Sequence, residues 1–164
     1  MSFNETVAQD NRMPRSVRFF RNTCPHCNND VGIPLLGDFA YGEFIYQTDD
    51  GRSYAYVSAI DHPAWVRMNA IFKGAAGMSL DQNNDDIRIY QIVLIRCADL
   101  HEGRRYSTNF PLCSMCGGKI KCYSDDVIMF DAEVQDATWN EFLSTSDADQ
   151  YRKVLALIVE QQRG

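Results

Sequence analysis

The chain has 164 residues, 45% hydrophobic and 23% charged, the proportions of an ordinary globular domain with enough apolar material for its own core. The formal net charge of −6 lies entirely in residues 123–164, which carry three basic and nine acidic side chains, while residues 1–122 carry thirteen of each. That distribution argues against sequence-independent nucleic-acid binding, which needs cations to neutralise phosphates. Six cysteines with no apolar leader and no membrane-length run point to a reducing, cytoplasmic setting.

In chain order, residues 1–16 read as a loose polar arm. Arg12, Arg15, Arg18 and Arg21 recur every third residue, which suits a cationic stripe or the solvated lead-in to a strand. Val17, Phe19 and Phe20 approach Cys24-Pro25-His26-Cys27, and Val31 and Ile33 leave it, so this CxxC caps a short hairpin that Pro34 and Gly37 end. Residues 39–46 and 52–58 read as the next two strands, joined through Asp49-Asp50-Gly51, a turn signal that supplies positive φ. Tyr41, Tyr46, Tyr54 and Tyr56 on this pair fit cross-strand packing or a stacking platform for bases. Asp61 and Pro63 open a helix over 62–73 whose Trp65, Met68 and Phe72 form one apolar stripe. Residues 74–86 read as a polar loop.

Residues 87–97 are apolar in both parities, which predicts a central strand covered on each side, with Cys97 as a small buried hydrophobe. A charged turn at 99–105 leads to Cys113-Ser114-Met115-Cys116-Gly117-Gly118, and residues 119–123 alternate as a strand with one wet face. Cys122 shares a face with Ile120 there. An Asp125-Asp126 turn precedes a strand at 127–134. Thr138 and Glu141 stand at capping-box spacing before a short helix, and Ser146 caps the last helix, 146–162. Tyr151, Val154, Leu155 and Ile158 give that helix one apolar face.

The chemistry sits in the two CxxC turns. A two-residue gap lets both thiolates face one ion, and two such turns supply the four sulfurs of a tetrahedral zinc site: Cys24, Cys27, Cys113 and Cys116. Over residues 17–33 and 108–123 the chain resembles four-cysteine zinc ribbons. It departs from them in separation, because residues 28–112 intervene where compact sites have about 15–20. A whole folded unit must therefore stand between the knuckles. Four thiolates close the metal shell and reduce its Lewis acidity, so one structural zinc is expected rather than a catalytic one. His26 is a spare ligand at most. Cys97, Asp99 and His101 would form a nucleophilic set only if the chain bent sharply, and His62 lies beside Asp61 at a helix start. Asp85-Asp86 and Asp125-Asp126 read as solvated turn acids.

These readings give a single domain, 1–164, of α+β class: a mostly antiparallel sheet with two to three packed helices and a split four-cysteine zinc ribbon at one edge. Residues 17–33 and 108–123 form the knuckle unit, 34–107 an inserted set of strands and helix, and 124–164 a strand with C-terminal helices. The expected function is a non-enzymatic, protein-binding domain, similar in broad character to immunity proteins that neutralise toxins. Its acidic residues Asp125, Asp126, Asp131, Glu133, Asp136 and Glu141 would meet a basic protein partner. The alternatives are a nucleic-acid-binding ribbon using Arg12–Arg21, Lys119, Lys121 and the tyrosines, and an enzyme of unfamiliar type using Cys97 or the histidines.

Overall fold

The computed structural model describes residues 15–36, 42–75, 77–78, 83–121 and 127–164. Along them run β1 (Arg15–Thr23), β2 (Asp30–Pro34), β3 (Glu43–Gln47), β4 (Tyr54–Ser58), α1 (Pro63–Ala75), α2 (Asn84–Cys97), β5 (Ile128–Asp136), α3 (Asn140–Ser144) and α4 (Asp147–Arg163). The five strands form one sheet in the order β2-β1-β5-β4-β3, antiparallel at every junction but β4–β5. The class is α+β, with four helices among the described residues.

The sheet is built from two local hairpins with β5 inserted between them. β1 is long enough to pair with β5 over Arg15–Phe20 and with β2 over Phe19–Thr23. β3 and β4 pair from Glu43↔Ser58 to Gln47↔Tyr54, around a turn in which Gly51 takes φ +75°. Alternation then gives β4 two apolar sides. Ala55 and Val57 pack with Tyr46 against the helices, while Tyr54 and Tyr56 turn toward Val17, Phe19 and Val134. The main core, between β3–β4 and the helices, contains Met68, Phe72, Val93, Leu94, Trp139, Phe142, Val154 and Ile158, each 2% exposed or less.

The sheet is centred on β5, and residues 87–97 are not a strand. They belong to α2, whose buried Ile89, Tyr90, Val93, Leu94 and Cys97 follow helical spacing. Its start is marked by Asn83, whose side chain accepts from the Asp85 N–H, and by Asp85 and Asp86 at the positive end of the helix dipole. Those three residues, read from sequence as loop, are the helix's N-terminal signal. β-branched content and a wide apolar face disguised the period, because a helix buried over a broad arc shows hydrophobic residues in both parities.

Two other caps differ from expectation. Asp61 takes φ +58°, and it is His62 whose Nδ1 accepts the Ala64 N–H at 3.2 Å and whose carbonyl takes the first helical bond, from Val66 N. Thr138 and Glu141 form no reciprocal box. The Asp99 carboxylate, from the turn after α2, accepts from Thr138 Oγ1 (2.6 Å), Asn140 N (2.7 Å) and Glu141 N (2.9 Å). Replacing Asp99 by Ala should therefore cost about 1–2 kcal/mol, while Asp99→Asn, which keeps an acceptor, should cost less. Urea denaturation reads both, and equal midpoints for the wild type and Asp99→Ala would show that the cap contributes nothing.

Of the strand expected at 119–123, the described residues show a single bridge, Lys119↔Leu112, and residues 122–126 lie outside them. No described helix is long and apolar enough to cross a membrane.

Candidate metal centre

Both CxxC turns fold by the same local rule. The Cys24 N–H bonds the Asn29 carbonyl and the Asn28 N–H bonds the Cys24 carbonyl; the Cys113 N–H bonds the Gly118 carbonyl and the Gly117 N–H bonds the Cys113 carbonyl. The fourth residue after the leading cysteine must then adopt positive φ, and it is Asn28 (62°) in one knuckle and Gly117 (73°) in the other. The glycine was legible as a turn residue; Asn28, the next most tolerant residue type, is its counterpart. Backbone N–H groups aim at sulfur from each loop: His26 to Cys24, Met115 to Cys113 and Gly118 to Cys116, all at 3.4 Å. The Asn29 side-chain amide completes the set on Cys27, also at 3.4 Å.

The four sulfurs of Cys24, Cys27, Cys113 and Cys116 lie within 4.8 Å of one another, with Cys24–Cys116 and Cys27–Cys113 each at 3.7 Å. Four sulfurs at about 2.3 Å from a central ion stand about 3.8 Å apart along each tetrahedral edge. The observed separations fit that figure and are far beyond the ~2.05 Å of a disulfide. The donor set suits a thiophilic ion, and these residues are placed to hold one. Thiol chemistry is uneven around the ring. The backbone and side-chain N–H groups of Asn29 hold the Cys27 thiol below its ordinary value. Cys116 receives the Gly118 N–H, which favours its thiolate, yet local loss of water at the otherwise exposed residue and the neighbouring sulfurs push it up.

Cys24 and Cys113 are fully buried, packed with Val31, Ile33 and Ile120, whereas Cys27 is half-buried and Cys116 exposed. His26 stands outside the ligand ring. Its Nε2 is 3.2 Å from the Lys119 carbonyl, and its ring lies so close over Gly118 that a Cβ there would meet it at 2.5 Å. The first knuckle joins β1 to β2 at the sheet edge. The second is seated on the β3–β4 turn, where a Cβ at Gly51 would fall 2.9 Å from the Cys113 carbonyl oxygen. The residues between the knuckles therefore include the surface on which the second knuckle rests.

The remaining candidates are scattered. Asp125 and Asp126 lie outside the described residues. Asp131 pairs with Arg18 at 3.4 Å, Glu133 is exposed on the same side of β5, and Asp136, half-buried, projects from the opposite side. Glu141 is exposed in the first turn of α3. Of the arginine series, Arg12 lies outside the described residues, and Arg15 sits 4.1 Å over the Tyr56 ring and 3.9 Å from Glu43. Tyr46 and Tyr56 are buried and Tyr54 half-buried, so these rings pack the interior and form no stacking platform; Tyr41 lies outside the described residues.

Cys97 is 2% exposed at the end of α2, its thiol pushed up to about 11 by burial. The Asp99 carboxylate is occupied by the start of α3, and the His101 ring lies beside Tyr106, so Cys97, Asp99 and His101 are not assembled into a nucleophilic set. The residue that sequence reasoning missed is Gln47, fully buried behind the second knuckle. A polar residue ending an aromatic strand was its only signal.

No protein-family model, curated protein or solved structure matches the chain. What the fold and the site define is an α+β chain whose four cysteines, split across its sequence, are placed to hold one metal ion.

Proposed function

We propose that this is a non-enzymatic, protein-binding domain of the cytoplasm, in which the four cysteines hold one structural zinc ion and β5 receives a basic segment of a partner protein. Zinc is favoured because it accepts four thiolates in tetrahedral geometry. With its shell closed, it serves to fasten the knuckles rather than to activate water.

The observation that carries the docking surface is a run of four exposed large apolar residues, Val127, Ile128, Met129 and Phe130, each 41–49% exposed, leading directly into Asp131 and Glu133. β4 meets β5 only at Gln135 and Asp136, so residues 128–134 have no strand neighbour on that side among the described residues. A cleft of about 370 Å³ opens there, lined by Phe19, Tyr54 and Phe130 together with Glu102 and Glu133 and, among basic groups, Arg52 and His101. An aromatic lining, acidic side chains and an open strand edge suit an extended, basic segment with an apolar anchor. Small size and acidity give the domain the broad character of an immunity-type inhibitor of a basic toxin. The nucleic-acid reading has less support, since Arg15 and Arg18 are engaged by Glu43, Tyr56 and Asp131.

Elemental analysis of protein purified without added metal should give one zinc per chain, and protein carrying no metal would end the zinc reading. With a captured partner, Asp131→Asn combined with Glu133→Gln should slow association severalfold at low salt and flatten its salt dependence. Phe130→Ala should weaken the equilibrium constant about tenfold. Unchanged values for both variants would place the interface elsewhere, and salt-dependent binding of RNA or DNA would favour the ribbon alternative.

A further inference from the structure

Gln47 and Tyr54 face each other across the β3–β4 hairpin as its last register pair. The Gln47 side chain is completely buried and grips the residue before Cys113 at two points. Its Oε1 accepts the Leu112 N–H at 2.7 Å, and its Nε2 donates to the Leu112 carbonyl at 2.8 Å. A primary amide laid along a peptide in this way reproduces the pair of bonds that a neighbouring strand residue would make. The two hydrogens of this NH2 group are shared with the Gly51 carbonyl at 2.9 Å and Tyr54 Oη at 3.1 Å as further acceptors. Tyr54 Oη in turn donates to the Gly32 carbonyl at 3.5 Å, on the strand that leaves the first knuckle. The Gln47 backbone adds a further hold, its carbonyl accepting the Ser107 N–H at 2.7 Å.

One cross-strand pair thus reaches both arms of the candidate site: Gln47 bonds the segment entering the second knuckle, Tyr54 the strand leaving the first. We propose that Gln47 and Tyr54 are the positioning residues of the metal centre, a bracket that aligns the two knuckles and sets the affinity for the ion. The inference rests on the metal reading above and adds the reason a site with residues 28–112 between its halves closes accurately. Without the bracket the second knuckle loses its side-chain hydrogen bonds to the β3–β4 hairpin, and metal binding must itself supply more of the ordering. Within the bracket the amide is fixed in one orientation, since turning it over would set its NH2 against the Leu112 N–H and its oxygen against two carbonyls. Outer partners of this kind typically contribute 10–100-fold to metal affinity.

The test is the zinc dissociation constant, by chelator competition, with the tetrahedral thiolate spectrum of the cobalt form as the geometric readout. Gln47→Met, which keeps the volume and loses every side-chain hydrogen bond, should bind zinc about 10–100-fold more weakly and give an altered cobalt spectrum. Tyr54→Phe, a change that leaves the ring in place, should weaken binding severalfold and serves if Gln47→Met does not fold. Val154→Ala, a fully buried truncation in α4, should lower stability and leave the zinc constant unchanged, separating positioning from general destabilisation. If the wild type binds neither ion, the metal reading fails. If the wild type binds and the folded bracket variants match it within twofold, or follow Val154→Ala, the bracket alone is overturned.

Discussion

Replacing Cys113 with serine is expected to abolish tight zinc binding and to lower the thermal midpoint by roughly 10 °C, the equivalent of about 4 kcal/mol for an ion present at a thousand times its dissociation constant. Cys113 is wholly buried against Val31, Ile33 and Ile120 and lies where the second knuckle rests on the β3–β4 turn. The damage should be local. Hydrogen exchange should accelerate in residues 19–34 and 112–120, where the strands lead to and from sulfur. α2 and α4 should keep their protection, because they pack in a separate core with Trp139, Phe142 and Val154. A variant that retains its zinc, or that loses protection uniformly, would show that the cluster does not fasten these segments.

The second large effect lies in that other core. Trp139→Ala should cost about 3–5 kcal/mol, read by urea denaturation. Trp139 is 1% exposed and its ring meets Tyr46 of β3 and His62 at the start of α1. Its Nε1 donates to the Leu94 carbonyl at 2.9 Å. That carbonyl lacks its usual helical partner, since the Ala98 N–H bonds Ile95 instead, so the indole ends α2 as well as filling the core. Trp139→Phe separates the two roles: it keeps most of the apolar area and leaves the carbonyl unpaired, for about 1–3 kcal/mol. Equal losses for Ala and Phe would mean that packing contributes little here.

The parts of this molecule legible in its sequence are those whose signals are local. The CxxC turns, the Asp-Asp-Gly hairpin and the stripe of Trp65, Met68 and Phe72 each specify their geometry within a few residues. α2 was obscured because Ile87, Ile89, Ile92, Val93 and Ile95 favour strands, and the cap that overrules them, Asn83 with Asp85 and Asp86, resembles a polar loop. The caps of α1 and α3 were misassigned for different reasons: His62 is an uncommon capping residue that accepts from Ala64 two positions on, whereas Asp99 reaches α3 only because tertiary structure brings it there. Gln47 was invisible for the same cause at longer range, since its partner Leu112 stands 65 positions away. The clustering of the four cysteines was readable across a still wider gap, because paired CxxC turns point to a common ion regardless of what separates them.

The placing of β5 between two hairpins has a consequence for how the chain emerges from the ribosome. β1–β2 and β3–β4 close over short stretches and are complete when half the chain is still unmade, and both sulfur pairs are present once residue 116 has been synthesised. The strand that joins the hairpins into one sheet begins only at Ile128. During that interval the two cysteine pairs can meet while the β1 and β4 edges remain bare, the condition in which hairpins seek wrong neighbours. An ion captured early would hold β1, β2 and the β3–β4 turn in register, leaving a slot of the right width for the last strand to enter.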